Sequence, residues 1–491
     1  MANNTEIELK LLISKENLKK MLALDFVVAA MREGSCQKRK LISSYYDTED
    51  LAFKRNGIAY RVRSKGDGTY EATVKTTLKN SAGLSERLEL NLPLTNSRPK
   101  LEGFAELGLG YELSELAPQG INKLFTVNVQ RTTYILDIEG AVAELAIDHG
   151  RISTGKSGDP MDAIDEIEIE LLEGDKGALL AFAAKIAEQV PLFVEKRSKF
   201  VRGLALRGIA SDIKATNAKL GSGVLKEELL MQVAQHGEVL LDLQKQLLEQ
   251  AELLRESTEL LGGKLLKGIY KELLTLRTLN KLAGVSVADC LNIAMLKVER
   301  LRTLYALWQL QAEITAQASE RYELKRANLG KKLTALVQNM LNELVEFAQN
   351  GRFTTIVYGI NSAVYQAELE EKGAELAARE LLKQWQKSLA RLDAIGEAIE
   401  TDKNNSEQLK SSVNESTALI MLEDIWALAR LGEGKAFTKA LDNVKKLRRA
   451  VLKAAEFEAW QNILASICAE STSKLVYRDA GILLGYLLAK S

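Results

Sequence analysis

Two periodicities divide the chain. Over roughly the first 205 residues, short segments alternate polar and apolar positions, separated by clusters of Gly, Asn, Asp and Pro. In a strand, residues i, i+2 and i+4 share a face. TEIELKLLI therefore puts Glu6, Glu8 and Lys10 on one face and Ile7, Leu9 and Leu11 on the other. AYRVRSK joins Arg61 with Arg63, YEATVKTTLK aligns Glu71, Thr73, Lys75, Thr77 and Lys79, and SERLELNL aligns Arg87, Glu89 and Asn91. Arg131 and Thr133 are in phase with Val127 and Val129, Glu144 with Asp148, and Glu166 with Glu168 and Glu170. Two helices are expected among these strands, one from Ser14, a capping residue with Asn17 three positions on, and one across Asp175–Gln189.

Beyond Pro191 the grammar changes. No proline occurs in the last 300 residues, and Leu, Ala, Glu, Lys and Gln dominate. Such a composition favours helix. Leu240, Leu243, Leu247 and Leu254 recur at helical intervals, as do Leu333, Leu336, Met340, Leu344 and Phe347. The expected class is α+β: a strand-rich unit over 1–205, a linker over 206–223 ending in Gly-Ser-Gly, and an all-α bundle over 224–491.

The polar faces of the strands are unusual. A one-sided wet sheet mixes Lys, Ser, Thr, Gln and Asn, whereas these faces are dense in Arg and in paired Glu. Their opposite faces are apolar enough to need cover. A barrel of about eight strands fills its interior with side chains or holds one small ligand. Like charges about 4 Å apart repel by roughly 4 kcal/mol at an effective dielectric near 20, so a ring of Arg and Lys needs anions and a ring of carboxylates needs cations. A polyphosphate chelated to a divalent metal meets both needs. Oxygen-only ligands suit Mg²⁺ or Mn²⁺, and the near-absence of histidine (His149 and His236 alone) agrees.

Charge balance narrows the classes further. Lys+Arg is 66 and Asp+Glu is 66, so the formal net charge is +0, which argues against a protein that coats nucleic acid. Cys36, Cys290 and Cys468 are far apart and odd in number, as suits a reducing compartment. The opening MANNTEIELK has no signal-peptide pattern, and no apolar run reaches the ~18–20 residues that span a bilayer. The expectation is a cytoplasmic protein with no membrane or nucleic-acid partner.

The charged positions also resemble a known family. ExExK (Glu6, Glu8, Lys10), YYDT (Tyr45–Thr48), RVR (Arg61, Arg63), VKT (Lys75), RLE (Arg87, Glu89), Arg131, DxG (Asp148, Gly150), EIE (Glu168, Glu170) and SKxxRG (Lys199, Arg202) occur in the order seen in CYTH domains, the triphosphate tunnel metalloenzyme fold. The resemblance implies an eight-stranded antiparallel β tunnel with covering helices that binds triphosphates with Mg²⁺ or Mn²⁺. It implies phosphate contacts from Lys10, Arg61, Arg63, Lys75, Arg87, Arg131, Lys199 and Arg202. Metal binding is implied for Glu6, Glu8, Glu89, Asp148, Glu168 and Glu170, and catalytic roles for Glu6, Glu8, Tyr45 and Lys199. Asn91 departs from the family's R-x-E-x-E, which would weaken one metal site.

In the helical half, ADCLNIAMLKVERLRTLYALW (Lys297, Arg300, Arg302) and KAFTKALDNVKKLRRAVLKAAEF (Lys445, Lys446, Arg448, Arg449) resemble a CHAD domain, a helical module with basic residues that often follows CYTH. The signature histidines and arginines are replaced by Asn292, Thr438, Met295 and Leu441, and Glu299 stands at a further basic position. The pairing implies an inorganic triphosphatase yielding phosphate and pyrophosphate, with inorganic triphosphate as substrate. Polyphosphate is a second ligand if the helical half still binds it, and a homo-oligomer is expected if that half has become a dimerisation scaffold. The alternatives are a thiamine or nucleoside triphosphatase of the same fold, or a polyphosphate-binding protein without turnover.

Overall fold

The computed structural model describes residues 4–209 save 82 and 156–159, then 226–257, 264–283, 289–318, 328–367 and 459–470, with isolated positions between 426 and 483. The chain divides into two compact units, Met1–Thr216 and Asn217–Ser491. Most of the expected linker, 210–223, lies outside the described residues, as does the basic segment 435–457.

Eight strands form the first unit: β1 (Thr5–Leu12), β2 (Gln37–Asp47), β3 (Ile58–Ser64), β4 (Tyr70–Ser81), β5 (Leu84–Leu94), β6 (Asn122–Ile138), β7 (Ala141–Ser153) and β8 (Met161–Gly174). They run in the order β5-β4-β3-β2-β6-β7-β8-β1, and β1 returns to pair with β5, which closes an antiparallel barrel. A ninth strand, β9 (Phe193–Val194), adds two residues alongside β1. Seven of the barrel strands are the segments read from alternation. The eighth, β2, buries Leu41, Ser43, Tyr45 and Asp47 on alternate positions, and its two polar members hide the stripe.

The helices of this unit are α1 (Lys15–Leu22), α2 (Asp25–Ala30), α3 (Ala52–Arg55), α4 (Leu113–Leu116), α5 (Lys176–Gln189) and α6 (Lys199–Leu206). Ser14 caps α1 by accepting from the Asn17 amide at 3.2 Å, and Asp175 caps α5 by accepting from the Ala178 amide at 3.1 Å. Both expected helices therefore form at their expected caps. The outward residues Ile58, Tyr60 and Val62 of β3, Ala72 and Val74 of β4 and Leu90 of β5 pack under Phe53, Phe104 and Leu113. α5 covers β6, β7 and β8 with Leu179, Phe182, Ala183 and Ile186. Each such buried side chain contributes about 1.5–3 kcal/mol, and this cover fixes which face of each strand points inward.

Two glycines permit close approach. A Cβ at Gly150 would lie 2.1 Å from the Asn128 carbonyl oxygen, so the glycine of Asp148-x-Gly150 lets β7 lie against β6. A Cβ at Gly203 would lie 2.2 Å from the Phe125 ring, so α6 rests directly on β6 through a missing side chain.

The second unit is helical: α7 (Lys226–Glu249), α8 (Ala251–Glu256), α9 (Lys264–Leu282), α10 (Asp289–Ala318), α11 (Asn328–Gln349) and α12 (Arg352–Gln366). α7 packs on α9 and α12, and α10 on α9 and α11. Leu240, Leu247, Leu254, Leu333 and Leu344 are buried as their spacing suggests, while the α11 seam is completed by Val337, Leu341 and Val345, with Leu336 and Met340 at its edge. Trp308 and Trp460 are half-buried against one apolar cluster. His236 meets buried Glu272 at 2.5 Å, and His149 of the first unit meets exposed Asp165 at 2.5 Å. Lys297 pairs with Glu343 at 2.7 Å, and the Arg302 guanidinium lies 4.1 Å from the centre of the Tyr270 ring. Among the described residues, no helix is long and apolar enough to cross a membrane.

Candidate active site

The inward face of the barrel lines a chamber of about 800 Å³. Glu6, Glu8 and Lys10 reach it from β1, Tyr45 from β2, Arg61 and Arg63 from β3, and Lys75 from β4. Arg87 and Glu89 reach it from β5, Arg131 from β6, Glu168 and Glu170 from β8, and Lys199 from α6. Register explains the juxtapositions: Glu8 pairs with Glu170, Lys10 with Glu168, Lys75 with Glu89, Tyr45 with Arg61, and Arg131 with Asp148. Asp148 and Arg202 do not line the chamber. Sequence spacing placed Asp148 on the correct face, but its carboxylate is spent in the wall behind Arg131 and Lys199. Arg202 is likewise spent, on Asp162 at 2.7 Å, Glu166 at 2.9 Å and the Ala163 carbonyl at 2.5 Å, and staples α6 to β8.

The charges fall into two clusters of different balance. In the first, the Lys199 ammonium sits 2.7 Å from Asp148, 2.5 Å from Glu166 and 2.8 Å from Glu168. Arg131 adds bonds of 2.6 Å to Asp148 and 2.5 Å to Glu168, and Lys10 lies 3.0 Å from Glu168. Burial would raise the Glu168 pKa, but Lys10, Lys199 and Arg131 hold it well below the usual carboxylate range. Three carboxylates within 4.8 Å of one another have the composition of a metal site, yet the ammonium already stands among them. Glu166, which the sequence placed on the polar face without a role, is part of this cluster.

In the second cluster, Lys75 is the shared cation, 2.6 Å from Glu6 and 2.7 Å from Glu89. Among the described residues Glu170 has no ion-pair partner in range, and its pKa is pushed up to about 8 by burial and then by Glu6, against the pull of Lys75. Burial, with help from Glu8 and Glu89, also raises Glu6. Asn91 donates to Glu89 at 3.1 Å and accepts from the Thr73 hydroxyl at 2.8 Å, so the residue that departs from the family pattern orients a carboxylate. This cluster is short of positive charge. Its all-oxygen donors, with one carboxyl too poorly compensated to ionise readily, fit a hard divalent cation.

The opposite imbalance occurs beside Tyr45. Among the described residues Arg63 bonds only the Ser43 hydroxyl, at 3.0 Å, and burial together with Arg61 and Arg131 pushes its pKa down to about 10. Arg61 reaches Glu89 only at 3.5 Å, and its buried Nε has no partner. Burial would raise the Tyr45 hydroxyl, but Arg61 and Arg63 pull it below its ordinary value. Tyr45 is held by stacking on Phe125 at 4.8 Å and Phe200 at 5.7 Å between ring centres. Arg87, 2.8 Å from Glu8, lies between the two poles. Lys54 and Arg55 of α3 also line the chamber. They escaped the period-two reading because they lie on a four-residue helix outside the strands.

An inorganic triphosphatase of Haemophilus influenzae is 29% identical over 201 residues, which are 41% of this chain and 54% of that protein. The chain thus matches about half the length of that relative. Among solved structures, a Hippeastrum protein reported with a dominant triphosphatase activity is 18% identical over 42% of this chain and 97% of its own, with a TM-score of 0.29. The RNA triphosphatase domain of a mimivirus mRNA capping enzyme is 14% identical over 38% of this chain and 88% of its own, with a TM-score of 0.25. Residues 4–204, which include the closed barrel of the first unit, match the CYTH domain, and the chain is similar over 201 residues to an inorganic triphosphatase.

Proposed function

We propose that the barrel hydrolyses inorganic triphosphate to phosphate and pyrophosphate with Mg²⁺ or Mn²⁺. The observation that carries this reading is the pairing of opposite charge deficits in one chamber: Arg63 without a carboxylate partner and Arg61 with only a long contact to Glu89 at 3.5 Å, against a carboxyl at Glu170 without a cation among the described residues. Only a ligand that is both anionic and metal-bearing relieves both.

In this reading Glu6, Glu89 and Glu170 would hold the metal, with Glu8 beside them. A cation bound there would screen the phosphate oxygens and acidify water. Arg63 and Arg61 grip phosphate oxygens, and their charge grows in value as it accumulates on the transferring phosphoryl group. Tyr45 fixes the Arg61 side chain, and Lys75 keeps Glu6 and Glu89 apart from each other's charge. Lys10, Arg131 and Lys199, paired with Asp148, Glu166 and Glu168, brace the wall beside the phosphate site. Water bonds to a terminal phosphorus, the bridging P–O bond breaks, and pyrophosphate leaves with the electron pair.

The helical unit carries the CHAD resemblance, and its depleted basic signature suits a scaffold or dimer contact better than polyphosphate retention. The three free cysteines suit a reducing, cytoplasmic setting. Phosphate release from triphosphate, ATP and thiamine triphosphate, each with Mg²⁺ and Mn²⁺, tests the substrate. Turnover confined to triphosphate is expected. Faster turnover of ATP or thiamine triphosphate would reassign the enzyme, and tight binding without turnover would make it a binding protein.

A further inference from the structure

We infer that Lys54 is a rim subsite for a fourth phosphate, so that the chamber accepts linear inorganic polyphosphate longer than triphosphate. The inference rests on the phosphate-binding reading of the chamber. Lys54 lines the same chamber as Arg61, is half-buried, and has no carboxylate within ion-pair distance among the described residues. Its neighbour Arg55, also on the lining, is exposed to solvent and closes an ion pair with Asp50 at 2.5 Å. The exposed Arg55 marks this part of the lining as the entrance, and Lys54 is its free cation.

The local backbone is built to hold Lys54 there. Buried Asp47 accepts from the amides of Thr48 and Phe53 at 2.8 Å and of Lys54 itself at 3.0 Å. The Thr48 hydroxyl accepts from the Ala52 amide at 2.7 Å and donates to Asp50 at 2.7 Å. Leu51 takes a left-handed φ of 59°, a conformation that costs a non-glycine residue and persists only where surroundings impose it. Phe53 anchors the turn in the core beneath β3. The backbone of Lys54 is thus fixed while its ammonium is left free, and a partly desolvated cation without an anion gains most from a charged oxygen. A polyphosphate whose end occupies the Arg61–Arg63 pole extends toward solvent, where the next phosphate meets this ammonium. Hydrolysis there uses the same balance: water bonds to the terminal phosphorus, and triphosphate leaves with the electrons of the broken P–O bond.

The test is kcat/KM of the full chain on inorganic tripolyphosphate and tetrapolyphosphate, with calorimetric Kd for each in EDTA, for wild type, Lys54→Ala and Lys54→Arg. ATP serves as a third substrate, because it places an uncharged ribose where a fourth phosphate would lie. The expected result is a loss on tetrapolyphosphate at least tenfold larger than on tripolyphosphate or ATP in Lys54→Ala, recovered in Lys54→Arg. Equal losses on all three, or none, would overturn the subsite while leaving the triphosphatase reading intact. If the wild type turns over none of them, that reading fails, and an unchanged Kd ratio in Lys54→Ala would overturn the subsite as well.

Discussion

Two groups of carboxylates stand in one barrel, built from the same residue types on neighbouring strands, and they do different work. Asp148, Glu166 and Glu168 are saturated by Lys199, Arg131 and Lys10 at 2.5–3.0 Å. Glu6 and Glu89 share Lys75, and Glu170 beside them has no ion pair among the described residues. The difference teaches that a count of acids does not locate a metal. What locates it is charge left over once the protein's own cations have been assigned. The saturated group is framework: breaking a buried ion network by removing one partner strands the others.

The sharpest way to break the comparison is Lys199→Met. Three buried carboxylates would lose their shared ammonium, and unfolding of the first unit should become easier by about 3–5 kcal/mol. A denaturant midpoint equal to wild type would show that the two groups are alike. Next in size, Glu170→Gln should lower metal-dependent turnover about 100-fold, near 2.7 kcal/mol, without lowering the thermal midpoint measured in EDTA. Turnover within threefold of wild type would remove Glu170 from the metal site.

Legibility from sequence followed the same division. Alternation revealed seven of eight barrel strands and the inward face of most charged residues on them, because the apolar outer faces demand cover, but Glu71, Lys79 and Glu144, aligned with that face, do not line the chamber, and a register shift precedes Lys79. It could not reveal which charge is already paired. Asp148 and Arg202 carry the right chemistry at the right spacing, but their partners Lys199, Asp162 and Glu166 meet them only through the closure of the barrel and the docking of α6. Strand β2 was veiled by Ser43 and Asp47, and Lys54 by its place on a turn whose geometry depends on Asp47. In the helical unit, leucine spacing found the buried stripe, whereas the His236–Glu272 pair joins residues 36 positions apart and leaves no local trace.

A pH series sharpens the comparison further. The Glu170 pKa is raised from 4.5 to about 8, so the folded state favours its protonated form. Its contribution is fully present below the unfolded value and is lost as pH rises through about 8. In EDTA, Glu170→Gln should therefore have a higher thermal midpoint than wild type at pH 9 and differ little from it at pH 5. A constant difference across that range would mean that Glu170 is compensated in the metal-free protein. The smallest effect is expected at Asn91. Removing its amide in Asn91→Ala frees Glu89 on one side, and the KM for Mg²⁺ should rise about threefold, or about 0.7 kcal/mol, with kcat nearly kept. No change in either constant would assign Asn91 to packing with Thr73 alone.

The contact between Gly203 and Phe125 carries a consequence away from any charge. Adding a single methyl at 203 would prise the last helix of the barrel outward, and Lys199, one turn earlier, would travel with it. The barrel's electrostatic architecture would then fail for want of empty space the size of one carbon atom.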